Sequence, residues 1–368
     1  MTQAVEKQLL GLDLQELTDL ARQVGQPLYR GRQLFEALYR QRVPALEQIT
    51  TLPVELRESL SQQFCVGLPK VQRKFESQDG TIRYLMLFAD EESVETVWMP
   101  EGDGGEAGDG SDADPELAAP GRAFDRATIC VSSQVGCAVN CQFCMTALLG
   151  AKRNLSAGEI TGQVIAVLNE RGVAPDTARI NLVFMGMGEP FLNYDNFMAA
   201  VRLLVEGVGI PESHMTVSTA GIVPRICDFG REPVRPKLAI SINASNDEQR
   251  NRLMPINRKW NLPALLEAAR EFPLRNRERI TFEYVLLDGV NDTPENAREL
   301  AGLVRGVRAK VNLIALNSGP EIPFCTPSEA RVEEFQQTLI RAGIPAFVRR
   351  PRGRDIYAAC GQLKGTVA

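Results

Sequence analysis

The chain has 368 residues, 44% of them apolar and 24% charged, with a formal net charge of −5, which excludes a largely disordered protein. The N-terminal sequence MTQAVEKQLLGLDLQEL lacks the basic start and continuous apolar stretch of a signal peptide, and no later segment is apolar enough to span a bilayer. We therefore expect a cytoplasmic protein that has no membrane partner.

Residues 1–68 predict a small module made only of helices. Asp13 and Glu16 have the spacing of a capping box, and the apolar residues that follow recur with a helical period until Gly25 ends the helix. The segment Leu34–Tyr39 repeats the pattern, which indicates a second helix.

Residues 69–100 predict a β linker, because TIRYLMLF and SVETVWM are strand-like and Asp79-Gly80 is a hairpin turn signal. Residues 101–122 are rich in glycine and acids, and we expect a mobile surface insertion there. Removing the seven acids of this insertion from the net charge of −5 leaves the rest of the chain at +2. Basic residues cluster at Tyr29–Arg42 and Arg349–Arg354, where two interpretations stay open, a nucleic-acid surface and an ordinary solvated one.

Residues 123–368 alternate strand-like and helix-like segments. The strand candidates are RATICVSS, INLVFMGM, HMTVSTAG, KLAISINA, RITFEYVLL, KVNLIALN and PAFVRRP. Repeated βα units predict an α/β domain with a parallel sheet, closed or partly closed as a barrel. The polar segments GMGEP, STAG and SINASND follow strands, so we expect the chemistry at the carboxyl ends of the strands.

Three cysteines, Cys137, Cys141 and Cys144, lie within eight positions in GCAVNCQFCMT. In the cytoplasm such a cluster indicates metal binding or catalysis more than disulfides. Three interpretations are open: an accidental group of thiols, a structural zinc site, and an iron–sulfur cluster. Zinc needs four ligands, yet the single histidine, His214, is far along the chain and there is no second CxxC pair. Three thiolates on a cubane cluster would leave one iron free for another ligand.

The CxxxCxxC spacing, on a loop after the first predicted barrel strand, resembles the signature of the radical S-adenosylmethionine (SAM) superfamily. The resemblance implies a partial (β/α)6 barrel and a [4Fe-4S] cluster held by Cys137, Cys141 and Cys144. It also implies that SAM occupies the open iron and is cleaved to a 5′-deoxyadenosyl radical. A zinc-bound RNA-binding protein without catalysis is the alternative outside this class.

Five segments, RATICVSSQVGCAVNCQFC, GMGEP, VSTAGIVP, LAISINASND and RGRDIYAACGQL, together resemble the RlmN/Cfr family of RNA adenine methyltransferases. The resemblance implies a monomer that methylates adenine carbon 2 at adenosine 2503 of 23S rRNA and adenosine 37 of tRNA. It also implies two SAM per turnover and an electron donor such as flavodoxin or ferredoxin. The carbon 8 enzymes of the Cfr branch are the alternative, although CGQL and the long N-terminal module look more like the carbon 2 branch. The base must be presented unstacked.

An electron-poor ring carbon cannot simply attack the methyl group of SAM, so a radical route needs a soft nucleophile as methyl carrier and a second thiol to resolve the adduct. By resemblance, Cys360 carries the methyl group, Cys130 forms the transient disulfide with it, and Glu95 accepts the ring proton. Outside these motifs, either cysteine would be read as a small buried hydrophobe and Glu95 as a surface charge.

The resemblance also implies SAM contacts on successive strand ends. They come from Gly188, Glu189, Ser218, Ser241, Ile242, Asn243 and Asn317. Each is a weak signal alone, since Ser and Asn commonly cap helices. Two departures from the family pattern stand out: Asn243 replaces the usual histidine, and the acidic insertion separates Glu95 from Cys130 by more residues than usual.

Overall fold

A ten-stranded sheet forms the centre of the protein in a computed structural model that describes residues 7–101, 126–319 and 321–364. The acidic insertion predicted at 101–122 lies, apart from residue 101, outside the described residues. No helix in the described chain combines the length and the apolarity that a membrane span requires.

The N-terminal module contains β1 (Lys7–Gln8), α1 (Leu14–Gln23), α2 (Tyr29–Phe35), α3 (Val54–Ser61) and β2 (Phe64–Cys65). The predicted capping box at Asp13 and Glu16 is confirmed, since each side chain accepts the backbone N–H of the other residue. The prediction of a module made only of helices was wrong, because β1 and β2 pair in parallel. This pairing gives the extended ends of the module partners for their backbone groups.

The predicted linker strands are β3 (Lys70–Glu76), β4 (Ile82–Leu87) and β5 (Ser93–Glu101). Asp79-Gly80 lies in the turn between β3 and β4, as expected for a hairpin. The strand β5 pairs antiparallel with β6 (Arg126–Cys130), so the hairpin strands continue directly into the main sheet.

All seven predicted barrel strands are present and run parallel to one another, side by side in chain order. A short antiparallel pair, β7 (Gln134–Gly136) and β8 (Ala151–Asn154), follows β6. The remaining strands are β9 (Arg179–Phe184), β10 (Met215–Thr219), β11 (Lys237–Ser241), β12 (Ile280–Leu286), β13 (Ala309–Ala315) and β14 (Ala346–Arg349). In the described chain the edge strands are β3 and β14, so the sheet is open, as a partial barrel requires.

Helices connect the parallel strands. They are α4 (Ala157–Arg171), α5 (Tyr194–Leu203), α6 (Val223–Gly230), α7 (Asp247–Leu253), α8 (Leu262–Glu271), α9 (Pro294–Val304) and α10 (Glu329–Arg341). The aromatic ring of Phe184 on β9 packs edge-on against Phe197 on α5, with ring centroids 4.9 Å apart. Because the strands are parallel, their carboxyl ends meet at one edge, and the loop between β7 and β8 carries the three clustered cysteines to that edge.

Candidate active site

The cysteine loop is held at its base and in its middle. The N–H of Cys137 donates to the carbonyl of Gly150, 2.9 Å away, where β7 meets β8. Further along, the N–H of Gln142 donates to the carbonyl of Leu253 at the end of α7, also over 2.9 Å. Neighbouring elements therefore fix the loop that presents the thiols.

The three thiols line one cavity at the carboxyl edge of the sheet. The other predicted residues on its wall are Gly188, Glu189, Ser218, Ser241, Asn243 and Cys360. Burial raises the pKa of the Cys137 thiol to about 12 and also raises the pKa values of Cys141 and Cys144. Bound metal cations would offset this cost, because they stabilise the thiolate form.

The donor set on the cavity wall includes three cysteine thiols, which fits an iron–sulfur cluster. Within residues 7–101, 126–319 and 321–364, no three metal-binding side chains come together closely enough to hold one metal ion. Thiolates are the usual ligands of iron–sulfur clusters, so Cys137, Cys141 and Cys144 would hold such a cluster in this cavity.

Glu189 joins the ends of two neighbouring strands beside the thiols. Its carboxylate accepts the N–H groups of Ala220 (2.6 Å) and Phe191 (3.0 Å), and its own N–H donates to the side chain of Gln134 (2.8 Å). Burial raises the pKa of the Glu189 carboxyl to about 7, against the effect of these hydrogen bonds. Gly188 has φ +98, and a Cβ there would lie 2.7 Å from the backbone nitrogen of Gln134, so the position requires glycine.

The polar groups at the carboxyl ends of β10 and β11 are only partly directed at the cavity. The hydroxyls of Ser218 and Ser241 lie 3.1 Å apart on its wall. Asn243 has a left-handed backbone, φ +52, and its side-chain oxygen accepts the N–H of Val285 over 2.8 Å. The side chain of Ile242 is fully buried and does not line the cavity. Any contact between Ile242 and a ligand would therefore have to be made by its backbone.

A second cavity adjoins the first. Its wall includes Asp79, Cys130, Asn317, Arg349, Arg350 and Arg352. Four residues, Met185, Glu283, Ile314 and Cys360, line both cavities. Asn317 thus lies on the second cavity, away from the other predicted SAM contacts, and its side-chain oxygen is buried without a partner among the described residues.

Cys360 stands on the wall that the two cavities share. The residue is partly exposed, but burial of the thiol against the protein raises its pKa, and the positive charge of Arg349 acts in the opposite direction. Cys130 is buried, and both burial and the neighbouring Cys360 raise the pKa of its thiol. The structure therefore brings the predicted pair of catalytic cysteines together.

Glu95 lines neither cavity. Its carboxylate is fully buried and forms an ion pair with the buried guanidinium of Arg83. The carboxylate also accepts the N–H of Lys364 over 2.9 Å, and the preceding residue, Leu363, lies on the second cavity. In this structure Glu95 contacts the segment that carries Cys360 rather than the cavities themselves.

The sequence interpretation missed Glu283, which lines both cavities from β12. Its side chain is buried and accepts a hydrogen bond from the Asn312 amide on β13 over 3.1 Å. A carboxylate in the middle of the apolar run RITFEYVLL was the available signal, because acids are depleted in buried strands.

Arg250 on α7 was also missed. Its guanidinium is fully buried and donates to the carbonyls of Ala220 (2.7 Å), Ser241 (3.2 Å) and Ile242 (3.0 Å). It therefore connects the ends of β10 and β11, and its positive charge opposes the effect of burial on the pKa of Cys141. Nothing in the polar run SNDEQRNR distinguishes this arginine from a surface residue.

Comparisons with known proteins agree with this geometry. The family model of the radical SAM superfamily matches residues 131–301, and that of the ribosomal RNA large subunit methyltransferase N-terminal domain matches residues 7–66. A probable dual-specificity RNA methyltransferase RlmN from Koribacter versatilis (strain Ellin345) is 67% identical over 93% of this chain and 97% of its own length. The dual-specificity RNA methyltransferase RlmN of Anaeromyxobacter sp. (strain Fw109-5) is 46% identical over 96% of this chain and 90% of its own.

A solved structure supports the same assignment. The crystal structure of a radical SAM methyltransferase from Sphaerobacter thermophilus is 42% identical, with a TM-score of 0.87, and covers 98% of this chain and 100% of that chain. The predicted fold class is confirmed. Membership of the radical SAM superfamily implies a [4Fe-4S] cluster and SAM as cofactors. The chain therefore belongs to the RlmN family of radical SAM RNA methyltransferases.

Proposed function

We propose that this enzyme methylates carbon 2 of adenine, at adenosine 2503 of 23S rRNA and at adenosine 37 of tRNA. The observation that supports the proposal best is the position of Cys360, on the wall between the cavity of the three clustered thiols and the cavity that contains Cys130. The relatives named RlmN favour this branch over the carbon 8 enzymes.

The first cavity is the proposed cofactor site. Cys137, Cys141 and Cys144 would hold the [4Fe-4S] cluster, with SAM against Gly188, Glu189, Ser218, Ser241 and Asn243. When bound, the cluster and SAM supply an electron and a radical that can activate a C–H bond. Two SAM per turnover would be used, one to methylate Cys360 and one as the radical source, with flavodoxin or ferredoxin as the electron donor.

The two catalytic cysteines have separate roles in the proposal. When Cys360 is methylated, a bond forms between its sulfur and the methyl carbon, the methyl–sulfonium bond of SAM breaks, and the thiol proton leaves. S-adenosylhomocysteine is the by-product.

In the proposal, a hydrogen atom is removed from the methyl group of Cys360, and the resulting carbon forms a bond to carbon 2 of the base. The adduct would then give its ring proton to Glu95 and its one excess electron back to the bound cluster. The thiolate of Cys130 would attack the sulfur of Cys360, so that the S–S bond forms while the S–C bond breaks, and the released carbon takes up a proton to become the methyl group. An external two-electron reductant of the thiol or protein class would reduce the disulfide before the next turnover. Cys130 lies at the end of β6 on the wall of the cavity that Cys360 also lines, which supports this pairing.

Glu95 is the proposed acceptor of the ring proton. Since its carboxylate lines neither cavity and is held by the guanidinium of Arg83 and the N–H of Lys364, these contacts have to rearrange before it can reach a base in the second cavity. The role therefore requires a local rearrangement around the Glu95 carboxylate.

The second cavity is the proposed site of the flipped adenine. Arg349, Arg350 and Arg352 are on its wall, where they can contact RNA phosphates, so we expect binding to weaken as salt increases. The N-terminal module, with its basic segment Tyr29–Arg42, is the second proposed RNA contact. We propose a monomer that works in the cytoplasm, where both RNA substrates are found.

Mass spectrometry of nucleosides from RNA treated with the anaerobically reconstituted enzyme tests this function. We expect 2-methyladenosine at both sites, lost in Cys360→Ala and retained in Cys325→Ala, a matched control at an exposed cysteine outside both cavities. A product of 8-methyladenosine would assign the enzyme to the carbon 8 branch. Colourless protein that contains zinc and methylates no RNA would contradict the whole proposal.

A further inference from the structure

The turn between β3 and β4 contacts the segment that carries Cys360. The Oδ2 of Asp79 accepts the N–H of Gly353 over 2.9 Å, although the two residues are 274 positions apart. In return, Asp355 accepts the hydroxyl of Ser77 (2.6 Å) and the N–H of Gln78 (3.3 Å). Each side of this junction thus contributes one carboxylate to the other side. We call the junction of Ser77, Gln78 and Asp79 with Gly353 and Asp355 the clasp.

Both carboxylates are suited to a charged hydrogen-bond role. Burial would raise the pKa of Asp79, but its hydrogen bonds from Gly353 and Thr81 outweigh burial and hold the pKa below its usual value. The hydrogen bond from Ser77 lowers the pKa of Asp355. Both groups are therefore ionised at neutral pH, and hydrogen bonds to a charged acceptor are stronger than neutral ones.

The chain between the clasp and Cys360 is tightly folded. Gly353 has φ +61, and a Cβ there would lie 2.7 Å from the Cβ of Ala358 and 3.0 Å from the methyl group of Thr81. Tyr357 is also left-handed, with φ +53, which is an unfavourable conformation for a bulky residue. Such a backbone persists only where surrounding contacts hold it in place.

The other end of the segment is attached to the cysteine loop. Just after Cys144, the N–H of Met145 donates to the carbonyl of Gly361 (2.7 Å), and the hydroxyl of Thr146 donates to that of Leu363 (2.6 Å). Cys360 therefore lies between two anchors, the clasp on one side and the thiol-bearing loop on the other.

We propose that Asp79 and Asp355 are positioning residues that hold Cys360 on the shared wall, in reach of both the methyl donor and Cys130. The inference rests on the proposed function, because it assigns the clasp a role in methyl transfer to Cys360. Misplacing a reacting group by about 1 Å can cost about a hundredfold in rate, so a loose segment should slow this step selectively.

Asp79→Ala and Asp355→Ala test the proposal, with Glu76→Ala as the matched control, an exposed carboxylate on the same hairpin. The methylation of Cys360 is followed by intact mass, and SAM cleavage to 5′-deoxyadenosine is followed in parallel. We expect methylation to fall at least about tenfold in both clasp variants, while cleavage stays within about twofold of the parent. A parallel loss of both activities would show a merely structural role and overturn the proposal, as would unchanged methylation.

Hydrogen exchange of residues 353–364 and alkylation of Cys360 provide a readout that does not depend on the reaction. Both should become faster in the clasp variants and stay unchanged in Glu76→Ala. If the parent enzyme never methylates Cys360, the proposed function fails. The clasp is rejected separately if hydrogen exchange of residues 353–364 and alkylation of Cys360 are the same in the clasp variants as in the parent. Where an alanine variant does not fold, Asp79→Asn replaces it, because its side-chain oxygen can still accept the N–H of Gly353. Its rate of Cys360 methylation should lie between those of the parent and a variant without the acceptor, and a parental rate would overturn the proposal.

Discussion

Replacing Arg83 with methionine tests what holds Glu95 in place. The two side chains form an ion pair in which Arg83 is 3% exposed and Glu95 is fully buried. The guanidinium also lies 4.1 Å from the ring centroid of Phe75. Removing one partner of a buried pair leaves an uncompensated charge, which typically costs about 3–5 kcal/mol. We therefore expect Arg83→Met to reduce the folding equilibrium constant by roughly two to three and a half orders of magnitude.

Urea unfolding of Arg83→Met, Glu95→Gln and the double variant measures this coupling. The double variant should lose much less stability than the sum of the single variants, because a neutral glutamine does not need the cation. Arg73→Met, an exposed position on the same hairpin, should change stability by no more than about 0.5 kcal/mol. A cost below about 1 kcal/mol for Arg83→Met, together with additive effects, would refute the reasoning.

The same variants separate the two roles of Glu95. If Glu95 accepts the ring proton, the double variant should recover stability and still fail to methylate RNA. If the carboxylate serves only the ion pair, the double variant should recover both properties. Methylation by the stable double variant would therefore remove Glu95 from the catalytic residues.

Three further predictions follow from the cofactor cavity. Gly188→Ala should weaken SAM binding by about tenfold or more in equilibrium dialysis, because its Cβ would press on the backbone of Gln134; parental affinity would contradict this. Arg250→Met should make the cluster harder to reduce in a redox titration followed by electron paramagnetic resonance, since it removes a positive charge near Cys141. The exposed Arg252→Met is its control, and equal midpoint potentials would contradict the role. Removing the cluster with a chelator should lower the thermal unfolding midpoint, and reconstitution should restore it; an unchanged midpoint would show that the cluster does not stabilise the fold.

Strands and local motifs could be predicted from the sequence, because their signals are contained in a few adjacent residues. All seven barrel strands are short apolar runs that end in polar or glycine-bearing turns, and each is present. The helices α6 and α7 have only eight and seven residues, so their periodic signal in the sequence is weaker than that of the longer helices. The pairing of β1 with β2 was missed because each has two residues and Lys7 finds its partner at Phe64.

Residues that act through tertiary contacts had no comparable signal. Arg250 is buried because three carbonyls from two strand ends and their loops converge on it, an arrangement that no periodicity in α7 reveals. The partner of Glu95 depends on strand register: Arg83 is opposite Val97, so Glu95 is its diagonal neighbour across β4 and β5. The motif around Glu95 marked this residue as a candidate proton acceptor, but it gave no information about the distance between its carboxylate and the cavities.

The position of Cys360 also explains why the proposed methyl carrier is not on a strand end. Ser218, Ser241 and Cys130 lie on strands, which keep each group in one place. A carrier has to face SAM in one step and the base and a resolving thiol in another. The segment from Gly353 to Leu363 contains no strand and only a single turn of 3₁₀-helix, yet contacts at both ends fix its path. If Cys360 is the methyl carrier, fixed ends around an irregular middle would let its thiol turn from one cavity to the other while the attachment points stay in place.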